Sequence, residues 1–86
     1  RALLEGDAPL QNLYVSGEIS NFKRYPTSGH CYFTLRDEKA QLKCVLFAAQ
    51  GAHLRFAPEN GMRGDLSGRV GVYERDGVYQ LYVDDM

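Results

Sequence analysis

The sequence predicts an all-β fold: a five-stranded Greek-key barrel with a short helix between the third and fourth strands. Three observations carry this. Five segments alternate apolar and polar residues with the period of two that a half-buried strand requires. A single helix-friendly stretch, 48–56, interrupts them after the third. Turn chemistry at Glu38-Lys39, Pro58-Glu59-Asn60-Gly61 and Asp76-Gly77 marks where the chain reverses.

Residues 1–12 read as the end of a helix or linker, because Ala2, Leu3, Leu4 and Glu5 favour helix and Gly6-Asp7-Ala8-Pro9 stops it. The barrel is expected over 13–86. Strand one is expected from Leu13 to Asn21, with Leu13, Val15, Gly17 and Ile19 inward, and Gly17 lets it bend. Phe22 to Gly29 reads as a loop, since Pro26, Thr27, Ser28 and Gly29 break both periodicities. Strand two, His30 to Asp37, turns Cys31, Phe33 and Leu35 inward. Strand three turns Leu42, Cys44 and Leu46 inward, with Gln41, Lys43, Val45 and Phe47 opposite. A two-residue loop at Glu38-Lys39 places Leu35 across from Leu42 and Phe33 across from Cys44. The helix at Ala48–Phe56 offers Leu54 and Phe56 as a plug for one barrel end. Strand four runs from Leu66 to Tyr73 with Leu66, Gly68, Val70 and Val72 inward. Strand five runs from Val78 to Val83 with Tyr79, Leu81 and Val83 inward. Three strands, a helix and two strands is the order of the OB fold. An SH3-like barrel is the competitor, and it lacks a helix at that point.

The 86 residues suffice for one domain. No apolar run reaches the roughly 20 residues that cross a bilayer, so no membrane role is expected. The chain opens at Arg1, without a start methionine or an apolar leader, which reads as a domain taken from a longer protein. Cys31 and Cys44 make no CxxC pair and no disulfide framework, which fits a reducing cytoplasm. The net charge of −1 is not that of a typical nucleic-acid binder. Its distribution matters more. No acid occurs between Glu18 and Asp37, a gap that holds Lys23, Arg24, His30 and Arg36, so a local positive field can coexist with the acidic total.

OB folds bind oligonucleotides or oligosaccharides on the face of strands two and three, between the loops that follow strands one and four. Here the first loop carries Lys23, Arg24 and Tyr25; the strand face carries His30, Tyr32, Arg36, Lys43 and Phe47; the last loop carries Tyr73 and Arg75. Cations track phosphates and aromatic rings stack on unpaired bases, so this interleaving is what a single-strand groove needs. The plainer reading of each is a solvated or sheet-covering side chain. A metal site is not expected: alternation turns both cysteines inward and His30 outward, and such a set cannot converge on one tetrahedral ion. No cofactor-binding motif and no catalytic constellation is present.

The strings Val15-Ser16-Gly17-Glu18-Ile19-Ser20-Asn21, Ser28-Gly29-His30-Cys31-Tyr32-Phe33-Thr34-Leu35-Arg36-Asp37, Ala40-Gln41-Leu42-Lys43-Cys44-Val45-Leu46-Phe47, Gly68-Arg69-Val70-Gly71-Val72-Tyr73 and Tyr79-Gln80-Leu81 resemble the amino-terminal domain of exodeoxyribonuclease VII large subunits, in order and over nearly the whole chain. The resemblance implies a bacterial cytoplasmic parent enzyme that degrades single-stranded DNA from both ends to oligonucleotides. It implies no demand for a divalent metal and assembly with several small subunits. The catalytic residues would lie in a later domain, so none carries over. The barrel would bind single-stranded DNA; a protein-interaction barrel that docks the subunits is the alternative. Gly64 and Gly71 depart from the family pattern, and both are expected to weaken strand four without touching the binding face.

Overall fold

The computed structural model describes residues 13–73 and 78–86. The helical reading of 1–12, the Asp76-Gly77 turn and Arg75 lie outside them. Five strands, β1 (Leu13–Arg24), β2 (Cys31–Arg36), β3 (Gln41–Leu46), β4 (Arg63–Tyr73) and β5 (Val78–Asp85), and one short helix, α1 (Ala48–Gly51), follow in chain order. They close a barrel in the order β1-β2-β3-β5-β4. Every neighbour is antiparallel except β3 and β5, which run parallel. A parallel pair needs a crossover, and α1 with β4 supplies it. Closure gives each of the five strands a neighbour on both sides over part of its length.

β1 is longer than the sequence indicates. The expected loop from Phe22 begins only at Tyr25, because β1 carries a bulge. Ser20 pairs with Thr34 and the next pair is Lys23 with Tyr32, so Asn21 and Phe22 together oppose Phe33. Asn21 takes φ 52°, a left-handed conformation that asparagine tolerates better than most residues. The extra residue shifts the alternation by one. Phe22 therefore turns inward, where its ring stacks on Phe33 at 5.9 Å and packs against the core. Earlier in β1, a Cβ at buried Gly17 would lie 2.8 Å from the Arg36 carbonyl oxygen and 2.9 Å from Leu35 Cγ. Only glycine permits this approach of β1 to β2.

The β2–β3 hairpin has the expected register, Leu35 with Leu42 and Phe33 with Cys44. Asp37 Oδ1 accepts the backbone N–H of Lys39 at 2.8 Å and of Ala40 at 2.9 Å, which fixes the turn. Those two bonds hold the Asp37 carboxyl below its usual range, the Lys39 bond first.

The helix is much shorter than 48–56. It ends at Gly51, and Ala52 to Phe56 continue as turns and bends. Gly51 is a poor helix former, and Phe47 before the helix has no side chain that caps it. Leu54 does pack on the core, but Phe56 is 44% exposed and plugs nothing. β4 begins at Arg63, three residues ahead of Leu66, so Gly64 does not stop it. Leu66 and Gly68 are buried and Val70 packs against the core; the inward placement of Val72 lies outside the described side chains. In β5, Leu81 and Val83 are buried as expected, whereas Tyr79 is 56% exposed. β3 pairs with β5 only from Gln80 to Tyr82, so Tyr79 stands on the β4–β5 ribbon beyond the barrel wall.

Ile19, Cys31, Phe33, Leu35, Cys44, Leu46, Leu66, Leu81 and Val83 form the buried cluster, drawn from all five strands. Both cysteines are free thiols within it. Burial pushes the Cys44 thiol up to about 12 and raises Cys31 too, where the nearby Arg24 charge opposes the rise.

Candidate nucleic-acid interface

Cross-strand pairing sorts the outer side chains into rows. Lys23, Tyr32, Val45, Tyr82 and Arg69 are successive partners on β1, β2, β3, β5 and β4. Thr34, Lys43, Gln80 and Gly71 make the adjacent row on β2, β3, β5 and β4. Strands lie about 4.8 Å apart, so Lys23 and Tyr82 are separated by roughly 14 Å of sheet. The rows cross the strands, and a bound single strand can follow them.

Further aromatic rings join the first row at Tyr32 and at Tyr82. Tyr25 meets Tyr32 edge to face at 5.3 Å. Phe47 stacks on Tyr82 at 5.9 Å with 28° between planes, and His30 meets Phe47 edge to face at 5.0 Å. These are the offset and T-shaped geometries that ring quadrupoles favour. His30 Nδ1 accepts the Ala48 backbone N–H at 3.0 Å, which places the proton of the neutral ring on Nε2. His30 thus ties the aromatic row to the start of α1. Val45 sits between Tyr32 and Tyr82 and is only 3% exposed, although it points away from the barrel interior. The outer face is packed, not merely solvated.

The sequence-derived set divides in the structure. Lys23, Tyr25, Tyr32 and Lys43 line one shallow groove together with Asn21, Thr34 and Gln80. Phe47 and His30 do not line it; they meet each other at 5.0 Å and Phe47 stacks on Tyr82. Arg24 goes elsewhere: the bulge pairs it with inward Cys31, and its Nη2 lies 3.9 Å from where a Cβ on Gly29 would be. It lines the apolar cleft beneath α1, beside Leu46 and Leu54. Arg36 lies at the other end of β2, across from Glu18 and beside Asp37 and Gln41. The charge near each cation differs accordingly. Glu18 approaches Arg63 at 3.6 Å, and Arg69 holds Asp84 through two hydrogen bonds of 3.3 and 3.2 Å. Lys23 and Lys43 line the groove together with the polar Thr34 and Gln80.

Tyr82 and Gln80 belong to this site and were not singled out by sequence. Alternation with Leu81 and Val83 already turns them outward. What places them beside Lys43 and Val45 is the parallel β3–β5 pairing, a long-range contact that local periodicity does not carry. Among the described residues no cluster of three or more His, Cys, Asp or Glu side chains could hold a metal ion, and no helix is long and apolar enough to cross a membrane.

A closed β1-β2-β3-β5-β4 barrel with an aromatic and cationic outer face defines an oligonucleotide-binding class of domain. The chain belongs to the OB-fold nucleic acid binding domain family, whose model matches residues 1–86. It is 50% identical over its whole length to the exodeoxyribonuclease 7 large subunit of Ruminiclostridium cellulolyticum. It is 48% and 47% identical, over 96% of its length, to the proteins of the same name from Bacillus mycoides and Bacillus thuringiensis. The chain spans 21% of the first of these relatives and 18% of the other two.

Proposed function

We propose that this chain is the single-stranded-DNA-binding module of a bacterial exodeoxyribonuclease VII large subunit. The barrel of 13–86 captures a strand and delivers it to a catalytic domain elsewhere in the parent. That parent assembles with small subunits in the cytoplasm and cleaves the strand to oligonucleotides. The observation that carries this reading is the row Lys23–Tyr32–Val45–Tyr82, with Lys43 beside it: two cations suited to phosphates lie next to rings that offer a π-face to any base. Ring stacking accepts any base, so little sequence preference is expected. The relatives' names and the family both support the substrate class.

The test is titration of the chain with fluorescently labelled oligo-dT over a series of salt concentrations. Phosphate contacts from the two groove lysines, Lys23 and Lys43, give a slope of log affinity against log salt of roughly −1.4. A chain that shows no binding at low salt, or a salt-independent signal, refutes the proposal. Binding of the small subunit instead would make the barrel a docking module.

A further inference from the structure

The structure assigns a further binding element to the proposed interface: the Phe47–Tyr82 pair is a base-stacking platform, and Gly71 is the positioning residue that seats it. This rests on the single-strand reading above and names the part of the face that takes a base.

Gly71 faces outward on β4, paired with Gln80 and diagonal to Tyr82. The Tyr82 ring leans across the strand into the space that a side chain at 71 would fill. A Cβ there would lie 2.6 Å from Tyr82 Cε2, with Cζ and Cδ2 at 3.4 and 3.5 Å. The expectation that Gly71 leaves the binding face untouched is therefore corrected: its missing side chain shapes that face.

The rest of the pair is held as firmly. Phe47 lies nearly parallel to Tyr82 on the side of α1, and His30, hydrogen-bonded to Ala48, braces Phe47 edge-on. The Tyr82 hydroxyl reaches Gln80 Oε1 at 3.5 Å, next to Lys43. Phe47 remains 38% exposed after all these contacts. A pre-seated ring pair with an open surface and a lysine one strand position away offers a base its stack and the adjoining phosphate its charge. A rigid platform also spares the entropy of ordering a loose aromatic side chain on binding.

The experiment is a double-mutant cycle on the chain, read by oligo-dT titration across salt, with thermal melting as a check on folding. Tyr82→Ala should weaken binding roughly 5- to 150-fold, the range of one base stack, and leave the salt slope unchanged. Tyr82→Phe should bind like the parent. Gly71→Val should weaken binding comparably, yet add nothing in the Tyr82→Ala background, because it acts through that ring. If Gly71→Val unfolds the chain, Gly71→Ala and Phe47→Leu carry the same comparison. A steep salt slope in the parent with no loss in Tyr82→Ala overturns the platform alone. An equal loss from Gly71→Val or Gly71→Ala in both backgrounds overturns the role of Gly71. A parent chain that fails to bind overturns the platform and the single-strand reading together.

Discussion

Lys23 and Arg24 are adjacent in sequence, and the bulge at Asn21-Phe22 sends them to different surfaces. This gives a prediction that sequence alone would not make. Lys23 shares the groove with Tyr32 and Lys43; Arg24 lies by the cleft under α1. One phosphate contact on a single strand contributes about −0.7 to the salt slope. Lys23→Ala should therefore flatten the slope by about 0.7. In the same terms, its penalty should shrink roughly 2- to 3-fold as salt rises from about 50 to about 200 mM. Lys43→Ala should behave alike. Arg24→Ala should leave the slope within error of the parent. The assay is anisotropy of a labelled oligo-dT titrated at five or so salt concentrations, with melting curves to confirm that each variant is folded. Equal flattening by Lys23→Ala and Arg24→Ala would refute the reasoning, since it would mean that the bulge does not partition the two cations.

Two further outcomes follow from the interior. Gly17→Ala places a methyl group against the Arg36 carbonyl oxygen, which cannot move without the β2 backbone; overpacking of this kind costs about 1–3 kcal/mol. In a domain of this size each kcal/mol lowers Tm by about 4–8 °C, and an unchanged melting curve would contradict the close approach. Cys44, with its thiol pushed up to about 12 by burial, should resist a maleimide reagent at neutral pH in the folded chain and react on unfolding. Mass spectrometry of the labelled protein reads this directly, and rapid native labelling would show that β3 is not packed as described.

Much of the barrel was legible because its strands are half-buried. The alternation of Cys31, Phe33 and Leu35 against Leu42, Cys44 and Leu46 sets the faces, and the two-residue turn then sets the register of β2 on β3. The bulge was not legible. Phe22-Lys23-Arg24 followed by Tyr25-Pro26 resembles the start of a loop, and the phase change shows only once Phe22 is seen against Phe33. The signal that was available is an asparagine, tolerant of left-handed φ, directly before an aromatic residue. Tyr79 failed for a different reason. Alternation states which way a side chain points and is silent on whether another strand lies beneath it, and β3 does not reach that far along β5. The interface was legible as a composition of cations and rings. Its arrangement was not, since the Phe47–Tyr82 stack depends on strands that meet only through the crossover.

The parallel seam between β3 and β5 also governs how the domain is made. β1, β2 and β3 can pair as they leave the ribosome, since their contacts are close in sequence. The outer edge of β3 then stays open until β5 has been synthesised, and β1 likewise waits for β4. Long-range pairings of this kind are slow to form. An unfilled strand edge is meanwhile a template for pairing with another copy. The seam that carries Lys43, Val45 and Tyr82 thus cannot form before β5 has been made. A nascent chain therefore lacks the Phe47–Tyr82 stack until its final strand has docked, while the Tyr25–Tyr32 and His30–Phe47 contacts need only the first three strands and the turns beside them.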